Sequence, residues 1–280
     1  MARSSPTIVG MTIVGGILLI GGSIVNNSCR RVDSSTTSTT SEAPAGPDEA
    51  RTALEAALRA WLTPPADTVW KDGLAAVVLV DVSGSMHDRI KGERRRKIEA
   101  AQAAAIDLVG AFDRYATAHP AEAVVVGIHE FSARPGQPAA REVIGLARPN
   151  PRTAGDRIRD MKTGGGTPIG DAMAEARLAL DRSGLKRRHL LVVTDGENTN
   201  GPDPALVASI LEQQPDAVKA SLYFVAFDVD AEAFAAVKNT GALLLSAKSG
   251  AELASTFDEL LDDRILVEAP RMTVEQPRTP

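Results

Sequence analysis

The run Leu74-Ala-Ala-Val-Val-Leu-Val80, followed directly by Asp81-Val-Ser-Gly-Ser85, determines the fold that we predict. Seven consecutive apolar residues, several of them β-branched, indicate a strand that is buried on both faces of a sheet. A carboxylate and two hydroxyls follow at alternating positions, and we expect Gly84 to allow the tight turn that directs both hydroxyls to one point. Such small oxygen donors suit a hard cation such as Mg²⁺, and the end of a parallel strand is where open α/β sheets bind ligands.

Strand and helix patterns alternate through most of the remaining sequence. Further strands are predicted at residues 122–131, 142–146, 189–194, 220–227 and 242–245. Helices are predicted at residues 93–115, 154–161, 204–213, 231–238 and 251–262, and another helix begins after Pro168. Because strands that are joined by helices of about ten or more residues pair in parallel, the predicted fold class is α/β. It is a Rossmann-like, mostly parallel central sheet with helices on both faces.

Residues 8–25 carry no charge and predict an N-terminal transmembrane helix before the α/β domain. As a helix they would extend about 27 Å, which is close to the thickness of the hydrocarbon core of a bilayer. The span is longer than the apolar region of most secretory signal peptides, and no Ala-x-Ala site follows it. A cleaved signal and a buried helix stay open as alternatives. Basic residues on the two sides of the span nearly balance, so the positive-inside rule gives no orientation.

The sequence after the apolar span predicts a linker before the folded part. Residues 34–47 are rich in Ser, Thr and Pro and cannot bury a core. Stalks of this composition are commoner outside the cytoplasm, which favours an extracytoplasmic domain. The predicted organisation is a membrane anchor with its flanks at 1–33, a linker at 34–47, a leading helix at 48–66, the α/β domain at 70–264 and a disordered tail at 265–280.

Charge and cysteine content exclude several classes of function. The formal net charge of −5 argues against a general nucleic-acid binder. Cys29 is the only cysteine, so neither an intramolecular disulfide nor a cysteine-based zinc site can form. The predicted α/β domain can therefore fold in a reducing or an oxidising compartment.

Oxygen-bearing side chains lie in three loops that are far apart in the sequence. They are Asp81, Ser83 and Ser85 after the first strand, Thr167 in a Gly-Gly-Thr-Pro segment, and Asp195 after the strand at 189–194. Because the carboxyl ends of adjacent parallel strands meet at one edge of a sheet, we expect these side chains to lie close together. Two carboxylates and three hydroxyls suit octahedral Mg²⁺ or Mn²⁺, with water at the other positions.

These three motifs together resemble the metal-ion-dependent adhesion site of the von Willebrand factor type A domain. They are Asp-x-Ser-x-Ser at 81–85, Thr167 in Gly-Gly-Thr-Pro, and Asp195 in Thr-Asp-Gly-Glu. The first motif alone is common by chance, whereas all three in this order, each after a strand or before a helix, are specific. The resemblance covers about residues 70–264.

The resemblance implies a metal site formed by Asp81, Ser83, Ser85, Thr167 and Asp195. Its three hydroxyls would be ligands, and its two carboxylates would hold the ion directly or through water. The ion would be Mg²⁺, or Mn²⁺ or Ca²⁺, and would bridge to an Asp or Glu of a partner protein. The implied activity is therefore metal-dependent protein binding without catalysis, and the predicted anchor and linker would place it at a membrane.

Other functions stay open on the sequence alone. The domain could be the docking subunit of a chelatase- or ATPase-type complex, or an envelope protein that self-assembles; the oligomeric state is not determined. The Gly-Gly-Gly-Thr segment at 164–167 could hold a phosphate, but it lacks the Gly-Lys-Ser/Thr of nucleotide-binding loops. A serine hydrolase is disfavoured because the Gly-x-Ser-x-Gly motif is absent and His87 lies too near Ser85 in the sequence.

A cluster of basic residues borders the first metal loop. Its members are Arg89, Lys91, Arg94, Arg95, Arg96 and Lys97. Positive charge at the start of a helix opposes the helix dipole, so local stability does not explain the cluster. It is either a solvated face or a patch that attracts an acidic partner.

Overall fold

The computed structural model describes residues 46–65 and 68–268. Its helices are α1 (Pro47–Leu62), α2 (Lys97–Ala118), α3 (Pro151–Arg159), α4 (Ile169–Arg182), α5 (Pro204–Glu212), α6 (Ala235–Lys238) and α7 (Gly250–Leu260). Its strands are β1 (Lys71–Asp81), β2 (Val124–Phe131), β3 (Ala140–Ala147), β4 (Leu185–Thr194), β5 (Ser221–Phe227) and β6 (Leu243–Ala247). Short 3₁₀ turns at Gly84–His87 and Ala231–Phe234 and a π turn at Leu261–Ile265 complete the regular structure of this part of the chain. The features discussed below lie in the compact unit that begins at Ala53.

The six strands form one sheet in the order β3-β2-β1-β4-β5-β6. All neighbouring pairs are parallel except β2 and β3, which are antiparallel and place β3 at an edge. Strand β1 lies inside the sheet and is buried from Gly73 to Asp81. The predicted mostly parallel α/β fold is therefore confirmed, and its ligand-binding edge is where β1 and β4 end.

Helices cover both faces of the sheet, as the apolar run of β1 requires. On one face Ala76, Val78 and Val80 pack with α2, α3 and α7. On the other face Ala75, Val77 and Leu79 pack with α4 and α5. Alternate residues of one strand thus belong to two separate cores, and this explains why no polar residue interrupts the run.

The start of α2 differs from the sequence prediction. Helix was predicted from residue 93, but the structure forms a hairpin-like loop in which the Ile90 N–H donates to the Arg95 carbonyl (3.0 Å) and the Lys97 N–H to the Asp88 carbonyl (3.0 Å). The helix then begins at Lys97, and the Glu99 carboxylate accepts a hydrogen bond from the Arg96 N–H. The residues directly before it have good helix propensity, but the hydrogen bonds within this loop override it.

The folded part extends beyond the predicted boundary at residue 264. Ile265 is fully buried in the core beside α2 and α7, and the Arg187 guanidinium donates to the Glu268 carbonyl. Packing in this core and the bond to Arg187 therefore stabilise residues 265–268, which the sequence analysis assigned to the disordered tail. The predicted anchor at 8–25 and the rest of the predicted tail lie outside the described residues, and no described helix is both long and apolar enough to cross a membrane.

Candidate metal centre

The side chain of Asp81 is fixed at the carboxyl end of β1. It is fully buried. One carboxylate oxygen accepts a hydrogen bond from the Ser83 N–H (2.7 Å) and the other from the Thr194 hydroxyl (2.6 Å). Since Thr194 is the last residue of β4, this bond joins the ends of two adjacent parallel strands.

The hydroxyls of the first loop connect it to Asp195 in the third. Ser83 Oγ and Ser85 Oγ are 3.1 Å apart and share a hydrogen bond. Ser85 Oγ donates to Asp195 Oδ1 at 2.7 Å. Residues that are 110 positions apart in the chain are therefore in direct side-chain contact.

Backbone hydrogen bonds place the loop with Thr167 against both other loops. The Gly84 N–H donates to the Gly165 carbonyl (3.0 Å), and the Thr199 N–H donates to the Thr167 carbonyl (3.0 Å). A Cβ atom added at Gly196 would lie 3.7 Å from Ser85 Oγ and 4.0 Å from Thr167 Oγ1, so both hydroxyls border the same small space.

The structure thus brings all five predicted side chains to one edge of the sheet. Asp81, Ser83, Thr167 and Asp195 are each at most 6% exposed, and Ser85 is half-buried. Within the described residues no group of three or more His, Cys, Asp or Glu side chains is placed to hold a metal ion. An ion at this edge would therefore depend on the hydroxyls, which are the donors that the three motifs supply.

The electrostatics of Asp81 fit a cation at this position. Burial raises the pKa of Asp81 to about 6, although the hydrogen bonds from Thr194 and Ser83 lower it, and the nearby charge of Asp195 raises it further. Burial disfavours the ionised form of this carboxylate, and a cation close to it would stabilise that form. The donor set of two carboxylates and three hydroxyls matches a hard divalent ion.

Sequence reasoning did not identify Lys97 as part of the centre. Its ammonium is 2.9 Å from Asp195 Oδ2 and 3.3 Å from Asp228 Oδ2, and its side chain is 12% exposed. Burial lowers the pKa of Lys97, but the hydrogen bond and charge of Asp195, with those of Asp228, outweigh it and raise the pKa. The sequence analysis grouped Lys97 with five other basic residues and predicted a helix from residue 93. It therefore gave no reason to single out Lys97.

Two residues that follow β4 hold the second loop in place and were also missed. The Thr199 hydroxyl accepts from the Thr167 N–H (2.8 Å), and Asn198 Oδ1 accepts from the Ile169 N–H (2.8 Å) at the start of α4. Their side chains satisfy backbone donors that would otherwise lack partners at a helix start. The run of polar residues after Asp195, at positions 197–200, was the only feature of the sequence that could have indicated this role.

The role predicted for Gly84 is wrong. Gly84 does not have a positive φ, and an added Cβ would meet only the Gly165 carbonyl oxygen, at 3.7 Å. Glycine is required instead at Gly165, where φ is +88° and an added Cβ would lie 2.1 Å from the Ala133 carbonyl oxygen. That contact belongs to a backbone bridge between Ala133 and Gly166.

The histidine nearest the first loop does not contact its serines. His87 is exposed, and its ring nitrogens lie within hydrogen-bond distance of Arg96 and Thr163. Ser83 and Ser85 instead bond to each other, and Ser85 to Asp195. This arrangement lacks the serine–histidine pair of a hydrolase.

Comparison with known proteins identifies the domain. Residues 76–197, which include all five side chains, match the family model of the von Willebrand factor type A domain. These residues therefore belong to a von Willebrand factor type A domain. No curated protein matches the sequence.

Solved structures share the fold of this von Willebrand factor type A domain at low sequence identity. The minor pilin PilB of Streptococcus sanguinis is 12% identical over 72% of this chain and 63% of its own, with a TM-score of 0.52. The pilus adhesin SpaC of Lactobacillus rhamnosus GG is 14% identical over 70% of this chain and 30% of its own (TM-score 0.54). The SpRpn10 VWA domain is 13% identical over 66% of this chain and 94% of its own (TM-score 0.52). The chain thus spans less than two thirds of PilB and SpaC.

The raised pKa of Asp81 predicts an unusual pH dependence. Because the folded domain holds this proton more tightly than the unfolded chain does, stability in EDTA should fall as the pH rises from about 4 to about 7. Asp81→Asn, which keeps the shape without the charge, should be more stable than the wild type at about pH 7, by up to about 3 kcal/mol. Urea unfolding of both proteins across this range measures the difference. If Asp81→Asn is less stable than the wild type at neutral pH, the pKa of Asp81 is not raised in the folded domain.

Substitution of the two glycines in the contacting loops should lower stability by different amounts. Gly165→Ala should lower the free energy of unfolding by at least about 2 kcal/mol, because the new Cβ meets a backbone carbonyl at a positive φ. Gly84→Ala makes the same change in the loop that it contacts and should cost less than about 1 kcal/mol. Denaturant unfolding of the two variants compares them. Equal stabilities would refute the explanation given for Gly165.

Proposed function

We propose that this domain binds a partner protein through a divalent cation that it holds with Asp81, Ser83, Ser85, Thr167 and Asp195. A Mg²⁺ ion bound there, or Mn²⁺ or Ca²⁺, supplies a positive charge with a coordination position for an Asp or Glu carboxylate of the partner. The observation that carries the proposal is the convergence of these side chains from three loops at one sheet edge. The proposed activity is binding, with no chemical reaction.

The hydrogen bonds of the two carboxylates favour an ion that can still bind a partner's carboxylate over an ion that the domain neutralises completely. Asp81 accepts from the Ser83 N–H and the Thr194 hydroxyl, and Asp195 accepts from Ser85 and pairs with Lys97. Carboxylates that are already engaged in this way neutralise a nearby ion only in part. The remaining positive charge favours an acidic group from outside, in a setting that is partly shielded from water.

Exposed basic residues beside the site support an acidic partner. Five side chains between β1 and α2 are exposed: Arg89, Lys91, Arg94, Arg95 and Arg96. We call this set the basic rim. The potential of such a rim accelerates the encounter with a negatively charged surface and disfavours a basic one.

The sequence before the domain supports a position at a membrane. We propose that residues 8–25 anchor the chain and that the linker at 34–47 holds the domain away from the bilayer, on its extracytoplasmic side. The similarity in fold to a pilus adhesin and a minor pilin agrees with a surface-exposed binding role, which for this chain is part of the proposal.

A capture experiment with a matched threonine pair tests the proposal. The full chain, immobilised in Mg²⁺, should retain a protein from an extract that EDTA releases, and Thr167→Ala should reduce that retention at least about tenfold through loss of one ligand. Thr153→Ala, an exposed site on α3, is the control and should change nothing. Replacing one Asp or Glu of the captured protein with its amide should abolish binding. Retention that persists in EDTA, or that survives Thr167→Ala, would contradict the proposal.

A further inference from the structure

Lys97 connects two carboxylates at the edge of the sheet where the three loops meet. Its ammonium pairs with Asp195 Oδ2 at 2.9 Å and with Asp228 Oδ2 at 3.3 Å. The side chains of Lys97 and Asp228 are 12% and 11% exposed, and that of Asp195 is fully buried. Charges this far removed from water attract each other more strongly than charges at the surface do, and this attraction favours one geometry.

Asp228 is itself held in an uncommon backbone conformation. Its φ of +52° makes it the only described residue other than glycine with a positive φ. The Asp228 N–H donates to the Ala247 carbonyl (2.8 Å), and its carboxylate also accepts from the Lys91 N–H (3.3 Å). Such a conformation persists where surrounding contacts determine it, and here those contacts present the carboxylate to Lys97.

The pairing leaves neither oxygen of Asp195 without a partner. Oδ1 accepts from Ser85 Oγ at 2.7 Å, and Oδ2 contacts the ammonium. The carboxylates of Asp81, Asp195 and Asp228 with the ammonium of Lys97 carry a formal charge of −2, which one divalent ion balances. Without Lys97 the same groups would carry −3 and would attract a cation more strongly.

We infer that Lys97 is a positioning residue that acts as a built-in counter-ion: it holds Asp195 and weakens the affinity of the centre for divalent ions. This inference rests on the proposed function, because it concerns the same centre. Lys97 occupies Asp195 Oδ2 and so keeps this carboxylate from moving fully onto a bound ion. The charge that Asp195 does not neutralise is then available to a carboxylate of the partner.

Calorimetric titration of the full chain with Mg²⁺ alone tests the inference. Lys97→Met, which keeps the length of the side chain and removes its charge, should bind Mg²⁺ about tenfold more tightly than the wild type, which corresponds to about 1.4 kcal/mol. Lys97→Arg should restore an affinity near that of the wild type. Lys91→Met removes a positive charge from the same loop region without removing a contact to Asp195, and should change affinity less than about threefold.

A second measurement separates positioning from a general effect on folding. With Mn²⁺ bound, water-proton relaxation should report about one fewer exchangeable water on the ion in Lys97→Met, because Asp195 replaces it. Circular dichroism verifies that each variant is folded. If Lys97→Met does not fold, Lys97→Gln is used in its place.

The outcomes distinguish the inference from the proposed function. If Lys97→Met binds Mg²⁺ no more tightly than the wild type does, the inference is wrong. The proposed function still stands in that case if the wild type binds Mg²⁺ and Asp81→Asn does not. A wild type that binds no Mg²⁺ overturns both.

Discussion

The hydrogen bond between Asp81 and Thr194 joins the last residues of two adjacent parallel strands, and the candidate centre depends on it. It fixes a fully buried carboxylate at the carboxyl end of β1, 2.6 Å from the hydroxyl of Thr194. The next residues of each chain segment then carry Ser83 and Ser85 on one side and Asp195 on the other. Parallel strands end at the same edge, so the topology brings these side chains near one another, and the hydrogen bond fixes their positions.

The fold was predictable because one strand carries an unambiguous pattern. The run from Leu74 to Val80 is apolar at every position, and its alternate residues indeed pack into cores on opposite faces of the sheet. The alternation with helices then indicated parallel pairing. Element boundaries were less accurate: propensity favours helix from residue 93, whereas hydrogen bonds from Ile90 and Lys97 form a loop first.

That the five oxygen-bearing side chains lie together was predictable, and the identity of the residues that position them was not. Motif spacing selects the five oxygen-bearing side chains because each follows a strand or precedes a helix. Lys97 and Asp228 come from the starts and ends of other elements, and only the three-dimensional arrangement shows that they pair. Glycine was expected to be needed at Gly84, whereas the structure needs it at Gly165, which combines a positive φ with the close approach of the Ala133 carbonyl, from a residue distant in sequence.

The central claim is that hydroxyls from two loops and carboxylates at the ends of β1 and β4 form one divalent-cation site. Crystals of the full chain grown with Mn²⁺ test this most directly, by anomalous scattering at a wavelength near the manganese absorption edge. The account predicts one strong peak within about 2.5 Å of the Ser83, Ser85 and Thr167 hydroxyl oxygens. A peak at another place on the domain, or none at saturating Mn²⁺, would contradict it.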